Sequence, residues 1–266
     1  MLLQITNNCE EHCEHCLQCS QEESEGLQHM TKNVFLKSLD FAKKINTKVV
    51  AVSGGEPTLN PEWYDFIKYL NFDAKIPFTL ITNGTWIEND EIVDKVKKLM
   101  NFDLCAGVQV TSTKRYYKSY DKIVANKNKF ESLGRRMFLE IDVPIYMEDL
   151  GRARTSEKAQ EDIKNNPYHM SCLNACLAFK QLNYIKDIGP VLLNAKQLCK
   201  PCVDWQGNIH LSESWLCPSV GSVYDTPNMI WAKAKKFKPC LSCKNSKKFM
   251  ESEREDIVKA RKIIFG

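Results

Sequence analysis

The sequence predicts an α/β fold built on parallel strands, followed by a cysteine-rich C-terminal segment. Short apolar runs alternate with helix-period segments up to about residue 154, and after that point the alternation is lost. Cysteines then gather at C-x2-C spacing between residues 199 and 243. Strands that alternate strictly with helices are joined by right-handed crossovers and lie parallel. The first part of the chain is therefore expected to form an α/β sheet or a barrel.

Five apolar runs bounded by turn or charged residues are predicted to be buried strands. In chain order they are "LLQIT", "KVVAVS", "FTLIT", "CAGVQVT" and "MFLEIDVPI". Helical stripes lie between them in "TKNVFLKSLDFAKKI", with Thr31 as N-cap, in "PEWYDFIKYL", with Pro61 at its start, and in "ENDEIVDKVKKLM", with acidic residues in its first turn. Further on we expect a helix around 171–185, a hairpin in "VDWQGNIHLS" and a charged helix from about 245.

Composition narrows the class of protein. The chain has 266 residues, enough to bury a sizeable core, and its 12 cysteines sit in clusters. The start of the sequence has no basic and apolar signal-peptide pattern, and no apolar run approaches the roughly 20 residues that span a bilayer. We therefore expect a cytoplasmic protein without a membrane partner, whose thiols stay reduced and hold metal or do redox chemistry. The net charge of +4 is spread over mixed-sign helices, which predicts a solvated surface and no specific nucleic-acid partner.

The first cysteine cluster follows the first predicted strand. Cys9, Cys13 and Cys16 have the spacing C-x3-C-x2-C, in a loop where an α/β fold carries its chemistry. Three thiolates on a [4Fe–4S] cluster leave the fourth iron open to a small-molecule ligand. Cys19 adds a further C-x2-C step. It is interpreted as a free thiol at the end of the loop, the alternative being a fourth ligand that closes the cluster.

A glycine pair follows the second predicted strand, in "SGGEP" from Ser53 to Pro57. Two adjacent glycines let the backbone approach a ligand closely, and Glu56 and Pro57 end the strand. By itself the pattern is an ordinary strand-to-turn transition. One β/α unit after the cysteine loop, it indicates a ligand site.

Together these motifs resemble the radical S-adenosylmethionine (SAM) enzyme superfamily. "CEEHCEHC" matches the CxxxCxxC motif, with His15 where the family usually has an aromatic residue, and "GGEP" matches the segment that contacts the amino group of SAM. "ITNGT", "VQVTS" and "LGRA" follow in the family's order over about residues 1–155. The resemblance implies a partial (β/α)6 TIM-like barrel, open on one side to admit substrate.

The resemblance also implies the reaction and its residues. Cys9, Cys13 and Cys16 would hold the cluster, whose open iron binds SAM and passes it one electron, and the resulting 5′-deoxyadenosyl radical would abstract a substrate hydrogen. The SAM-binding residues that it implies are Gly54, Gly55, Glu56 and Pro57 for the methionine amine, Asn83 beside the adenosine, Ser112 for the carboxylate or ribose, and Arg152 for the carboxylate.

The C-terminal cysteines resemble the SPASM extension of this superfamily, or its shortened twitch form. The implied division is a radical SAM barrel over 1–185 and a small cysteine-rich α+β domain over 186–266. The expected auxiliary [4Fe–4S] ligands are Cys199 or Cys202 with Cys217, Cys240 and Cys243, with zinc as the alternative. The chain departs from the pattern at Ser212, where the family usually has cysteine. Cys172 and Cys176 stand four residues apart as a further metal pair or as buried side chains, and Cys105 is expected in the core.

The expected activity is oxidation or cross-linking of a peptide, a protein or a small natural product. A reducing donor such as flavodoxin or ferredoxin is the implied partner. Because the chain starts on the first predicted strand, a peptide substrate is expected to be presented by a separate protein or by "STKRYYKSYDK". The other interpretation of this segment, which its composition favours, is the start of the fourth crossover helix. Two alternatives from other classes are a glycyl-radical-enzyme activase and a non-catalytic iron–sulfur or zinc protein for electron transfer or binding.

Overall fold

The computed structural model describes residues 1–21, 29–44, 47, 49–142, 151–165, 202–210 and 219–235. Their strands form a single sheet in the order β5-β4-β3-β2-β1-β6-β7-β8. The strands are β1 (Leu2–Gln4), β2 (Val50–Ser53), β3 (Phe78–Thr82), β4 (Cys105–Ser112), β5 (Met137–Ile141), β6 (Cys202–Val203), β7 (Asn208–His210) and β8 (Ser219–Ser222). β1 to β5 pair in parallel, which confirms the five predicted strands and the α/β class.

Helices follow the strands, and the first three of them confirm the three predicted apolar stripes. They are α1 (Lys32–Lys44), α2 (Trp63–Tyr69), α3 (Asp90–Met100), α4 (Tyr120–Ala125), α5 (Lys127–Leu133), α6 (Glu157–Asn165) and α7 (Pro227–Lys235). Short 3₁₀ turns at Pro57–Leu59, Thr85–Glu88 and Gly151–Arg154 lie at the ends of the barrel strands or in the loops after them.

Two helix predictions need correction. The segment "STKRYYKSYDK" was expected to start the fourth crossover helix, but turns occupy most of it and α4 begins only at Tyr120. The alternation also continues past residue 154, because α6 follows the turn at Gly151–Arg154. The Tyr116 hydroxyl joins the two segments, since it reaches α6 at the Lys158 carbonyl oxygen, 3.3 Å away. Residues 113–117 are thus held by a tertiary contact that local propensity does not encode.

One side of the sheet is covered by helices. Leu3, Val52 and Leu80 point to this side and are fully buried against α1, α2 and α3. Stacking of Phe35 on Phe66, with ring centroids 4.2 Å apart, joins α1 to α2. Successive side chains of a strand alternate between its two sides, so the intervening residues point the other way.

We call this opposite side the lumen face, defined by the buried apolar cluster of Leu2, Ala51 and Cys202, with Ile81 packed against it. The predicted hairpin is confirmed in β6 and β7, and β6 pairs in parallel with β1. The C-terminal hairpin thereby extends the barrel sheet on the free side of β1. The predicted boundary between residues 185 and 186 lies outside the described residues and remains a prediction, as do the helices predicted around 171–185 and from about 245.

Candidate functional site

The cysteine loop follows β1 and returns to it through backbone hydrogen bonds. The Cys9 amide donates to the Gln21 carbonyl oxygen at 2.8 Å, and the Cys16 amide donates to the Cys13 carbonyl oxygen at 3.1 Å. His12 adopts a left-handed conformation with φ of 50°, which reverses the chain between the first two cysteines. Cys9 and Cys13 are buried and Cys16 is half-buried. The loop therefore presents all three thiols from a single short turn.

The three thiols share one electrostatic environment. Burial raises the pKa of Cys9 and of Cys13 well above the usual thiol range, and the nearby Cys16 thiol raises both further. Burial raises the pKa of the Tyr117 phenol, and the nearby Cys13, Cys16 and Cys9 thiols raise it further. Tyr117 therefore lies beside the same three thiols. Three thiolates so placed need a positive charge to be stable together, and bound iron supplies one.

The glycine pair lies directly against the cysteine loop. The Gly55 amide donates to the Thr6 carbonyl oxygen at 2.9 Å, and the Glu56 amide donates to the Asn8 carbonyl oxygen at 2.6 Å. A Cβ atom on Gly55 would lie 2.0 Å from the Asn8 carbonyl oxygen. No larger residue fits there unless the loop moves, which is the close backbone approach that the sequence indicated.

The Glu56 carboxylate is occupied by internal hydrogen bonds. It is fully buried and accepts from the Thr58 amide and hydroxyl at 3.1 and 2.7 Å, the Thr82 hydroxyl at 2.8 Å and the Asn83 amide at 2.8 Å. Burial raises the pKa of Glu56 to about 7, against the lowering effect of these donors. Its side chain thus links the end of β2 to the end of β3. Because the carboxylate oxygens are occupied, a contact with the amine of SAM would be made by the backbone of this segment.

Asn83 and Ser112 follow or end neighbouring strands. The Asn83 amide nitrogen lies 3.9 Å from the Cys9 sulfur, while its oxygen accepts from the Thr85 amide at 2.9 Å. Ser112 is buried, and its hydroxyl has no hydrogen-bond partner. By strand alternation it lies on the helix-covered side of β4 with Val110, whereas Thr111 lies on the lumen face. The structure brings Asn83 to the cysteines and leaves Ser112 as an unpaired donor beside the strand end.

Arg152 forms a strap across the cysteine loop. Its Nε atom donates to the Cys13 carbonyl oxygen at 2.9 Å, its Nη1 atom to the Ser20 carbonyl oxygen at 2.7 Å, and its amide to the Cys16 carbonyl oxygen at 3.1 Å. A Cβ atom on Gly151 would lie 2.3 Å from the same Cys16 oxygen. Nη2 is buried without a partner. Sequence reasoning assigned Arg152 to a carboxylate and missed the strap, because its acceptors are backbone atoms.

His15 and Cys19 lie next to the three cysteines, and the structure shows the environment of each side chain. The His15 ring centroid lies 4.5 Å from that of Tyr116, and burial, followed by the positive charge of Arg152, lowers the pKa of His15 to about 4. His15 is therefore a neutral ring within an aromatic group. Cys19 is half-buried at the end of the loop with φ of 48°, and burial raises its pKa. Tyr117 was not anticipated as a site residue; it lies in the loop after β4, five residues beyond Ser112.

Several features fit an iron–sulfur cluster with SAM. Four buried polar atoms in the cysteine loop or on Arg152, which contacts it, have no hydrogen-bond partner, namely Asn7 Oδ1, His12 Nδ1, His15 Nδ1 and Arg152 Nη2. Buried polar groups normally have hydrogen-bond partners, so this concentration marks a place for a polar ligand. Within the described residues no three His, Cys, Asp or Glu side chains could hold a single metal ion. A cubane cluster needs no such convergence, because each thiolate binds a different iron.

Of the C-terminal cysteines, Cys202 alone falls among the described residues. It is fully buried in the lumen-face cluster with Leu2 and Ala51, and its place among the auxiliary-cluster ligands stays a prediction. The rest of this predicted set, Cys172, Cys176, Cys199, Cys217, Cys240 and Cys243, lies outside the described residues. Cys105 is buried in the core as predicted.

Comparison with known proteins gives the same assignment for the first half of the chain. Residues 3–134 match the family model of the Radical SAM superfamily. Over 101 residues the chain is 35% identical to the tungsten-containing aldehyde ferredoxin oxidoreductase cofactor-modifying protein of Pyrococcus furiosus. This alignment covers 37% of the chain and 27% of that protein, so the chain spans about a quarter of its relative's length.

One solved structure shares the fold. A structure of BtrN in complex with AdoMet and 2-DOIA superposes with a TM-score of 0.53 at 12% identity, covering 99% of this chain and 85% of that one. Streptococcus suis SuiB bound to the precursor peptide SuiA gives a TM-score of 0.44 at 12% identity, covering 92% and 69% of the two chains. Among the described residues, no helix is long and apolar enough to cross a membrane.

Proposed function

We propose that the chain is an enzyme that reductively cleaves SAM and abstracts a hydrogen atom from its substrate, in keeping with the match of residues 3–134 to the Radical SAM superfamily model. The observation that carries the proposal is the placement of Cys9, Cys13 and Cys16 in one short loop whose backbone lies directly against Gly55. A loop that held only a structural metal would need neither a glycine packed against its backbone nor buried polar atoms without partners around it.

Each residue has a distinct task in this proposal. Cys9, Cys13 and Cys16 hold the cluster, and Arg152 keeps their loop closed through its carbonyl contacts. The backbone of Gly54 to Pro57 meets the amine of SAM, while Asn83, Ser112 and the free Nη2 of Arg152 meet its other polar groups. When bound, the [4Fe–4S] cluster would supply the electron for reductive cleavage of SAM.

We further propose a SPASM/twitch-like extension over 186–266 that carries an auxiliary [4Fe–4S] cluster. The burial of Cys202 in an apolar cluster favours Cys199 as the ligand that accompanies Cys217, Cys240 and Cys243. The expected outcome is net oxidation or cross-linking of a peptide or small molecule, with flavodoxin or ferredoxin as electron donor. One similar protein is named as cofactor-modifying, which supports the small-molecule class, and the peptide class is proposed from the resemblance of the C-terminal cysteines to SPASM-type enzymes.

The test is anaerobic reconstitution of the full chain with iron and sulfide, followed by dithionite and SAM. Formation of 5′-deoxyadenosine is measured by mass spectrometry, with the triple variant Cys9→Ala, Cys13→Ala, Cys16→Ala as the control. The proposal requires product from the native chain and none from the triple variant. An iron-loaded native chain that binds SAM and releases no 5′-deoxyadenosine would point instead to an electron-transfer or binding protein.

A further inference from the structure

The lumen face of the two outermost parallel strands carries an exposed group of side chains. In β5, Met137, Leu139 and Ile141 pack against the core, so Phe138 and Glu140 lie on the lumen face. Their partners across the strand pair are Gln109 and Thr111 of β4.

Hydrogen bonding between Gln109 and Glu140 leaves acceptors available. Gln109 donates from Nε2 to Glu140 Oε2 at 2.7 Å, and the reverse amide orientation would place two oxygens against each other. Glu140 Oε1 and Gln109 Oε1 therefore remain as acceptors beside a single leftover amide hydrogen. Within the described ranges, no lysine or arginine forms an ion pair with Glu140. The pair is thus negatively charged and suited to a group rich in donors.

Phe138 provides an apolar surface beside this pair. Its side chain is 52% exposed, which is unusual for a phenylalanine in a parallel strand. The ring lies over Gly107, where an added Cβ atom would be 2.4 Å from Phe138 Cε2. Gly107 therefore lets the ring lie across the sheet beside Gln109, while about half of the residue stays exposed. Aromatic faces pack against apolar groups and also attract cations.

The pair is within reach of the cysteine loop. Thr82 pairs with Val110 in the register, so the next residue, Asn83, lies beside Thr111, which pairs with Glu140. Two strand spacings, about 10 Å, then separate Asn83 from Glu140 along the same layer. Asn83 is the residue whose amide contacts the Cys9 sulfur. A small molecule held by Glu140 would extend towards the place where the proposed function generates its radical.

We propose that the substrate is a primary amine whose ammonium group binds Glu140 and Gln109, while its apolar part packs on Phe138. The inference rests on the proposed function, because it identifies the substrate class of that site. An ammonium offers three donors and a positive charge, which match two acceptor oxygens, one of them a carboxylate. A neutral alcohol matches the acceptors without the charge.

The test uses cyclohexylammonium as the probe and cyclohexanol as its neutral counterpart. Binding to the cluster-loaded, SAM-bound chain is followed by saturation-transfer NMR. We expect cyclohexylammonium to bind at least tenfold more tightly than cyclohexanol. Glu140→Gln should weaken cyclohexylammonium at least tenfold, and Phe138→Ala should weaken both probes. The matched control is Glu131→Gln, which removes an exposed carboxylate on α5.

Equal affinity for the two probes, or unchanged binding of the amine to Glu140→Gln, would overturn the inference. SAM affinity is measured on the same variant, because the ribose hydroxyls are also donors. A tenfold loss of SAM affinity with unchanged amine binding would assign the pair to SAM and equally overturn it. Amine binding does not depend on SAM cleavage, so absence of 5′-deoxyadenosine would contradict the proposed function and leave the Glu140 result standing.

Discussion

Arg152 donates a hydrogen bond from Nε to the carbonyl oxygen of Cys13 at 2.9 Å, across 139 residues of sequence. The same guanidinium reaches the Ser20 carbonyl oxygen, so it holds the cysteine loop at two points. Hydrogen bonds from a charged group are stronger than those between neutral groups, and the planar fork loses little freedom in making both. The loop is thereby shaped by the segment after β5 and not by its own sequence alone.

Arg152→Lys is expected to lower the cluster content of the first site by at least half. A lysine keeps the charge and cannot reach both carbonyl oxygens, so the loop would sample shapes in which the thiols do not converge. Iron and acid-labile sulfide per chain, measured after anaerobic reconstitution, test this. Arg154→Lys serves as the control, because Arg154 is exposed in the same turn. Full cluster content with weakened SAM affinity would instead assign Arg152 to the SAM carboxylate.

Cys202→Ala should leave the iron content of the chain unchanged. Its side chain is fully buried against Leu2 and Ala51, so the loss falls on packing, at about 1 kcal/mol of unfolding free energy. Iron analysis and urea unfolding measure the two effects separately. Cys240→Ala is the comparison, since it removes a proposed auxiliary ligand and is expected to lose iron. A loss of iron in Cys202→Ala equal to that in Cys240→Ala would place Cys202 among the ligands.

Ser112→Ala is expected to keep or slightly raise stability and to weaken SAM binding about tenfold. The buried hydroxyl has no partner in the fold, so its removal relieves a desolvation cost of about 1 kcal/mol. Thermal unfolding and equilibrium dialysis with SAM test the two parts. Thr111→Val is the matched variant on the lumen face. If only Thr111→Val weakened SAM binding, the contact would lie on the other side of β4.

Glu56 should make the unfolding free energy depend on pH. Its folded pKa, raised by burial to about 7 from an ordinary value of 4.5, means that the folded chain binds more protons than the unfolded chain between these values. Stability should therefore fall as pH rises through this window, by roughly 1.4 kcal/mol per unit of pKa difference. Glu56→Gln does not titrate, so its stability relative to the native chain should improve from pH 4.5 to 7.

Urea unfolding of both chains across this range measures that difference. The contrary outcome is that the native chain gains unfolding free energy relative to Glu56→Gln as pH rises. It would mean that the donors from Thr58, Thr82 and Asn83 outweigh burial and keep the carboxylate ionised.

The order of strands and helices could be predicted from the sequence because it depends on local periodicity. The cysteine loop and the glycine pair could also be found from the sequence, because each motif lies within a few consecutive residues. The Arg152 strap could not, because its acceptors are backbone carbonyl oxygens of Cys13 and Ser20, which any residue type offers.

The neighbouring side chains on the lumen face could be identified only from the register of the paired strands. Glu140 and Gln109 are 31 residues apart, and only the pairing of β4 with β5 brings them to one hydrogen bond. Likewise, "STKRYYKSYDK" has helical composition, yet tertiary contacts of Tyr116 hold its first half in turns. The inward position of Cys202 follows from β6 pairing with β1, a long-range choice with no local signal.

The most direct measurement of the central claim is electron paramagnetic resonance of the reduced, cluster-loaded chain before and after SAM is added. If Cys9, Cys13 and Cys16 hold a cluster with an open iron, SAM will shift the spectrum of the native chain. The triple alanine variant will lack that signal and its response. A spectrum that SAM leaves unchanged, from a chain with full iron at these three cysteines, would contradict the account.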